Sequence, residues 1–166
     1  MKISNVSYVT IITFLLFLIT WKVAAGESEV IWENTDKYTD VRAGNEHRKN
    51  FRNGVFDKFE KHFATLSKKL PDGQLLKINV TNVDLAGDVR FDTMDRIRVI
   101  RDIYIPRMKF SYQLLNADKS VIDSAEVDLK DMTFMVSTPS RYKNKSLGYE
   151  KHMLDEWFKD TFTQKS

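Results

Sequence analysis

The sequence predicts an α+β domain, a two-layer sandwich in which a mixed sheet of roughly four strands carries two amphipathic helices on one face. Three observations predict it: an apolar stripe at steps of three and four from Phe51 to Leu70, period-two alternation in three segments between Leu75 and Leu129, and a second helical stripe from Leu147 to Phe162. The chain order strand, helix, three strands, helix suits sheet-and-helix layering.

A leader precedes these elements. Lys2 is followed by an apolar run from Tyr8 to Trp21 and then by Val23, Ala24 and Ala25. The run is shorter than the ~18–20 residues that would span a bilayer, and small side chains sit where a signal peptidase needs them. Cleavage is expected after Ala25 or Gly26, releasing a periplasmic domain over 26–166 with no stable membrane insertion. The chain has no cysteine. A lipid-modified cysteine is therefore excluded, and stability must come from a core rather than from disulfides. Lys2 and Lys22 both fall in the leader, which leaves 24 basic against 23 acidic residues, a net charge of +1. That balance argues against a general polyanion binder, and no nucleic-acid partner is expected.

The first strand is expected to be short or broken, through Val30-Ile31-Trp32 and again over Tyr38 to Arg42. In the helix that follows, over Glu46 to Leu70, the apolar stripe is Phe51, Val55, Phe59, Phe63, Leu66 and Leu70. Asn45 suits the N-cap, Lys68 and Lys69 complement the dipole, and Pro71-Asp72-Gly73 ends the helix. Next, LLKINVTNVDL alternates through Leu76, Ile78 and Val80 and then changes phase, which predicts a bulge near Thr81-Asn82. If the strands flanking the first helix are neighbours, they run parallel around a right-handed crossover.

A long strand is expected from Ile103 to Leu115, with Pro106 marking an edge position or a local interruption. NADKS turns the chain into VIDSAEVDL, completing a hairpin. Pairing Leu114 with Val121 sets Lys109 against Glu126 and Arg107 against Asp128. A two-residue slip would place Arg107 opposite Lys130, so charge favours the first register, although each cross-strand pair is worth only ~0.2–1 kcal/mol. The last helix has Leu147, Leu154, Trp157, Phe158, Thr161 and Phe162 on one face, with Ser146 as its N-cap.

Chemistry-bearing residues are sparse. DLAGDVRFDTMD places four aspartates between Asp84 and Asp95 at spacings of four, four and three, unlike a calcium loop, which needs ligands at alternate positions. Interleaved arginines favour a salt-bridged loop over a metal site. His47 and His62 lie about 22 Å apart along one helix, too far to share an ion. His152 is expected to pair at the surface with Asp155 or Glu156. GxSxG, HExxH and P-loop motifs are absent. If Arg107 and Lys109 are taken by the hairpin acids, the loop arginines are left with no partner that the register requires, although the loop aspartates could serve. The candidate surface for an anionic ligand or acidic partner therefore comprises Arg96, Arg98, Arg101, Asp88 and Tyr104.

The blocks WENTDKYTDVR, VDLAGDVRF, RVIRDIYIPRMKFSYQLLNADKSV, VDLKDMTFM and YEKHMLDEWF resemble, in order, the family known as domain of unknown function 3016. That resemblance implies a small exported protein, mostly of Gram-negative bacteria, with no established activity, cofactor or catalytic residue. The leading expectation is a non-enzymatic binding or assembly module that contacts an envelope component through the sheet edge or the arginine loop. The rival is a hydrolase or metal-dependent enzyme using Asp84, Asp88, Asp92 and His152.

Overall fold

In the computed structural model, which describes residues 25–42, 47–90 and 97–163, the chain begins with β1 (Glu27–Trp32). A one-turn 3-10 segment at Thr35–Lys37 breaks the strand, and Asp40 resumes the pairing as an isolated parallel bridge to Asp84. The Phe51-to-Leu66 stripe forms α1 (Arg48–Ser67), burying Val55, Phe59, Phe63 and Leu66. Phe56 joins them by stacking on Trp32 with ring centroids 4.1 Å apart. The expected Asn45 cap lies outside the described residues, and His47 holds the cap position without a side-chain bond. Gly54 sits in the body of this helix, where glycine costs about 0.8–1 kcal/mol relative to alanine. A Cβ at that position would meet nothing within 4 Å, so packing does not demand glycine there.

After the turn at Pro71–Gly73, β2 (Leu75–Asp84) lies parallel to β1, the two strands flanking α1 as neighbours. Its alternation changes phase at a bulge between Val80 and Asn82, as the sequence pattern required. A two-stranded ribbon follows, β3 (Asp88–Val89) with β4 (Arg98–Val99). The chain then enters β5 (Arg107–Leu115) and β6 (Val121–Lys130), and the main sheet has the order β1-β2-β5-β6. Two one-turn helices, α2 (Phe134–Ser137) and α3 (Ser140–Lys143), lead into α4 (Gly148–Phe162). Both long helices pack on one face of the sheet. Phe110 of β5 makes edge contacts with Phe63 of α1 at 6.3 Å and with Trp157 of α4 at 4.8 Å.

Four local expectations are corrected. Ile103–Pro106 lies outside the strand, and β5 is interior rather than an edge, with Pro106 just ahead of its first residue. Proline is tolerated there because it interrupts no ladder. The hairpin adopts the register that charge disfavoured, with Lys109 opposite Asp128 and Arg107 opposite Lys130. The turn decides this: Lys119 takes a left-handed φ of 67°, the Asn116 N–H donates to Ser120 O at 2.9 Å, and Leu115 pairs with Val121 while Leu114 pairs with Asp123. Arg107 also faces Asp84 on β2, which offsets its like-charged neighbour. Ser146 does not cap α4, because Leu147, at φ 56°, occupies that position. His152 is buried against the Tyr142 ring at 5.3 Å, and Asp155 bonds His62 at 2.9 Å instead.

Candidate functional site

Three places combine polar chemistry with access or burial. The first is the corner where the chain leaves β2. Asp40 is bridged by its backbone to both sides of this corner: its N–H donates to Val83 O at 3.1 Å and its C=O accepts from the Leu85 N–H at 3.1 Å. Its carboxylate is thereby carried inward, where Oδ1 accepts from Arg42 Nε and Oδ2 from Arg98 Nη1, each at 3.0 Å. Arg98 also donates to Gly87 O at 2.8 Å and to Arg42 O at 3.2 Å, while its Nε is buried without an acceptor among the described residues. Gly87 makes the approach possible: its φ is 80°, and an added Cβ would lie 2.5 Å from Val99 O.

Carboxylates crowd this corner. Burial holds the Asp84 carboxyl above its ordinary value, the Asp40 charge adds to that, and Arg107, Arg98 and Arg42 oppose it. Glu150, in the first turn of α4, is almost wholly buried and accepts the Ala86 N–H at 2.8 Å. Burial raises its carboxyl too, against the Ala86 bond and the Arg98 charge. Asp88 lies within 3.7 Å of Arg42 Nη2. Arg98 and Asp88 thus belong to one network built around Asp40, and Arg98 takes Asp40 as its partner rather than one of the aspartates of its own loop. Arg101 and Tyr104 are exposed on the connection from β4 to β5, and Tyr104 contributes its C=O to the Gly87 N–H at 3.0 Å. Arg96 lies outside the described residues.

Beside Arg98 a hollow of about 250 Å³ opens between α1 and the start of α4. Phe51, Val55 and Leu85 supply apolar wall, and Lys58, Arg98 and Ser146 supply polar groups. The Lys58 ammonium donates to Ser146 Oγ at 3.0 Å, and the Lys151 ammonium donates to Ser146 O at 3.0 Å. Sequence reasoning missed Lys58 and Ser146 because they are ordinary surface residue types 88 positions apart, joined only when α1 and α4 dock.

The second place is the interface between α1 and α4. His62 Nε2 lies 2.9 Å from Asp155 Oδ1 and 3.2 Å from Lys151 O, and the Tyr142 hydroxyl donates to the other Asp155 oxygen. Burial acts to raise the Asp155 carboxyl, but the bonds from His62 and Tyr142 outweigh it and hold the group below its ordinary value. That carboxylate ties two helices together; among the described residues no nucleophile is poised on the histidine.

The third is the outer face of the sheet, which no helix among the described residues covers. Two open hollows of about 470 and 590 Å³ lie along it and share Asn79, Ser111 and Glu126. At its far edge β6 is ten residues long, with Val121 and Ile122 exposed. Its inner side is covered only in part, Val127 and Leu129 being half-buried. Among the described residues, no backbone group on its outer edge bonds to another segment.

Among the described residues no three His, Asp or Glu side chains are placed to hold a metal ion. Of the four residues assigned to a hydrolytic site, Asp84 and Asp88 are held among arginines and His152 is packed under Tyr142, while Asp92 lies outside the described residues. A family model described as a protein of unknown function, DUF3016, matches residues 26–160. The chain belongs to this family. The match begins at the residue before β1 and ends within α4, so it takes in the whole sheet and every element of the Asp40 corner. No curated protein and no solved structure matches the chain.

Proposed function

We propose that this family member is an exported, periplasmic, non-enzymatic binding or assembly module, and that it takes an extended segment of another envelope protein along the free edge of β6. The observation that carries the reading is that edge: β6 is ten residues long and pairs with β5 on one side, while its outward backbone groups bond to no other segment among the described residues, beside a sheet face left open. Such an edge is a template for an added strand. Here the side chains define the partner. Val121 and Ile122 offer apolar contact at one end, and Glu126 on the outer face makes no ion pair among the described residues. A segment carrying a lysine or arginine opposite Glu126 complements that position, since Asp128 is already paired with Lys109. Antiparallel self-pairing of β6 centred near its middle, on Val127, would set its own acids, Glu126 and Asp128, against each other.

The leader supports the location. Gly26 is buried against Ser67 and Leu70, and the Glu27 N–H already bonds Gln74 O at 2.9 Å, so the folded domain uses Gly26. Cleavage after Ala25 retains it, and mass spectrometry of the periplasmic fraction should find Gly26 as the first residue.

The binding reading is tested with a photo-crosslinking side chain placed at Ile122 or Glu126 in the full chain expressed in its host, with Ala64 on the exposed side of α1 as control. The expected product joins either β6 position to one envelope protein at an extended basic segment, and Glu126→Lys removes it. Equal capture at Ala64, or none at either β6 position, refutes the assignment.

A further inference from the structure

The hollow between α1 and the start of α4 lies away from the β6 edge and does not depend on it. Among the described residues its lining contains no carboxylate. Two ammonium groups, Lys58 and Lys151, converge on the hydroxyl and the carbonyl of the single residue Ser146, each at 3.0 Å. Neither lysine makes an ion pair among the described residues, and Arg98, already balanced by Asp40, adds its guanidinium to the same lining. The nearby Glu150 carboxylate is taken by the Ala86 N–H. The crowding registers on Lys151, whose ammonium is held below its ordinary value first by burial and then by Lys58, against the opposing charge of Glu150 and with Lys145 adding a smaller push.

A second feature is independent of charge. Gly54 lines this hollow from the body of α1, where any side chain would favour the helix and where a Cβ would touch nothing. The glycine keeps the hollow open at a cost to the helix, and local rules are broken in this way where a site needs room.

We propose that this hollow is a binding site for a dianionic phosphate group carried on a small apolar body, the phosphate held by Lys58 and Ser146 of its lining with Lys151 beside it at the Ser146 carbonyl, and the body lying on Phe51, Val55 and Leu85. Two lysines without acidic partners suit a dianion better than a single carboxylate, and lysine binds phosphate as a point charge. At about 250 Å³ the space is below the ~300–1,000 Å³ typical of sites for drug-sized ligands, which limits the body to roughly one small ring.

The probes are phenyl phosphate, inorganic phosphate and benzoate, titrated into the protein while the amide resonances of Gly54, Lys58, Ser146 and Leu147 are followed by NMR. Phenyl phosphate should saturate these shifts and bind more tightly than either of the others. Lys58→Gln, an exposed change that leaves the fold intact, should weaken it at least about tenfold, as the loss of one charge-assisted contact does. Gly54→Leu, whose Cβ would meet nothing within 4 Å and whose longer branches reach into the space, should abolish binding while the melting temperature holds or rises. The proposal is overturned if no resonance saturates by about 10 mM, well beyond a millimolar site. It is equally overturned if benzoate or inorganic phosphate matches phenyl phosphate, or if Gly54→Leu binds like wild type.

Discussion

Arg98→Gln removes a guanidinium that holds Asp40 Oδ2 at 3.0 Å, Gly87 O at 2.8 Å and Arg42 O at 3.2 Å. The side chains of Arg98 and Asp40 are 19% and 5% exposed, so water screens the pair little. Removing one partner of a buried ion pair costs about 3–5 kcal/mol, because the other charge stays buried. Asp40 keeps its second contact, Arg42 Nε at 3.0 Å, which places the expected loss near the lower end, about 3 kcal/mol. For a domain of this length that is a fall of roughly 10 °C in Tm. Urea and thermal unfolding measure it, with Arg101→Gln, an exposed change on the next connection, expected to melt like wild type. A double-mutant cycle with Asp40→Asn should return a coupling of about 1–3 kcal/mol, as contacting groups in one network do. A loss under about 1 kcal/mol for Arg98→Gln, well short of the cost of breaking a buried pair, would refute the claim that this arginine organises the corner.

Phe59→Ala and Trp157→Ala should each lose about 3–5 kcal/mol in urea unfolding, since both rings are buried between the helices and the sheet; a loss below ~1 kcal/mol in either would show its helix to be peripheral. Gly54→Ala should gain about 0.5–1 kcal/mol by the same measurement, and a destabilised variant would mean that the glycine is needed for packing after all. Glu150 gives a pH dependence of definite sign. Burial raises its folded value above 4.5, so the native state keeps a proton that the unfolded chain releases, and stability falls as pH climbs from the unfolded value through the folded one. Glu150→Gln should flatten that slope, with Asp84 supplying what remains, and unfolding midpoints across the acid side of neutrality decide it; a variant that keeps the wild-type slope would place the titration elsewhere.

Periodicity alone determined the large elements of this protein. Apolar residues at steps of three and four commit α1 and α4, alternation commits β2, β5 and β6, and the phase change at Thr81-Asn82 locates the bulge, because each pattern encodes which face must leave water. The same reasoning misplaced the hairpin by two residues, since charge pairs worth a few tenths of a kcal/mol were weighed and the left-handed residue at Lys119 was not. It also offered Arg98 no partner beyond the aspartates of its own loop. The partner, Asp40, stands 58 positions earlier in a segment with no motif, and only the parallel bridge from Asp40 to Asp84 brings it there. Lys58 and Ser146, His62 and Asp155, and Glu150 and the Ala86 N–H are alike in this. Each is a long-range polar contact made when α4 closes over α1 and the β2 corner, and it depends on how layers dock rather than on any local pattern. The fold was legible because burial is periodic in the chain; the candidate sites were not, because their groups meet only in three dimensions.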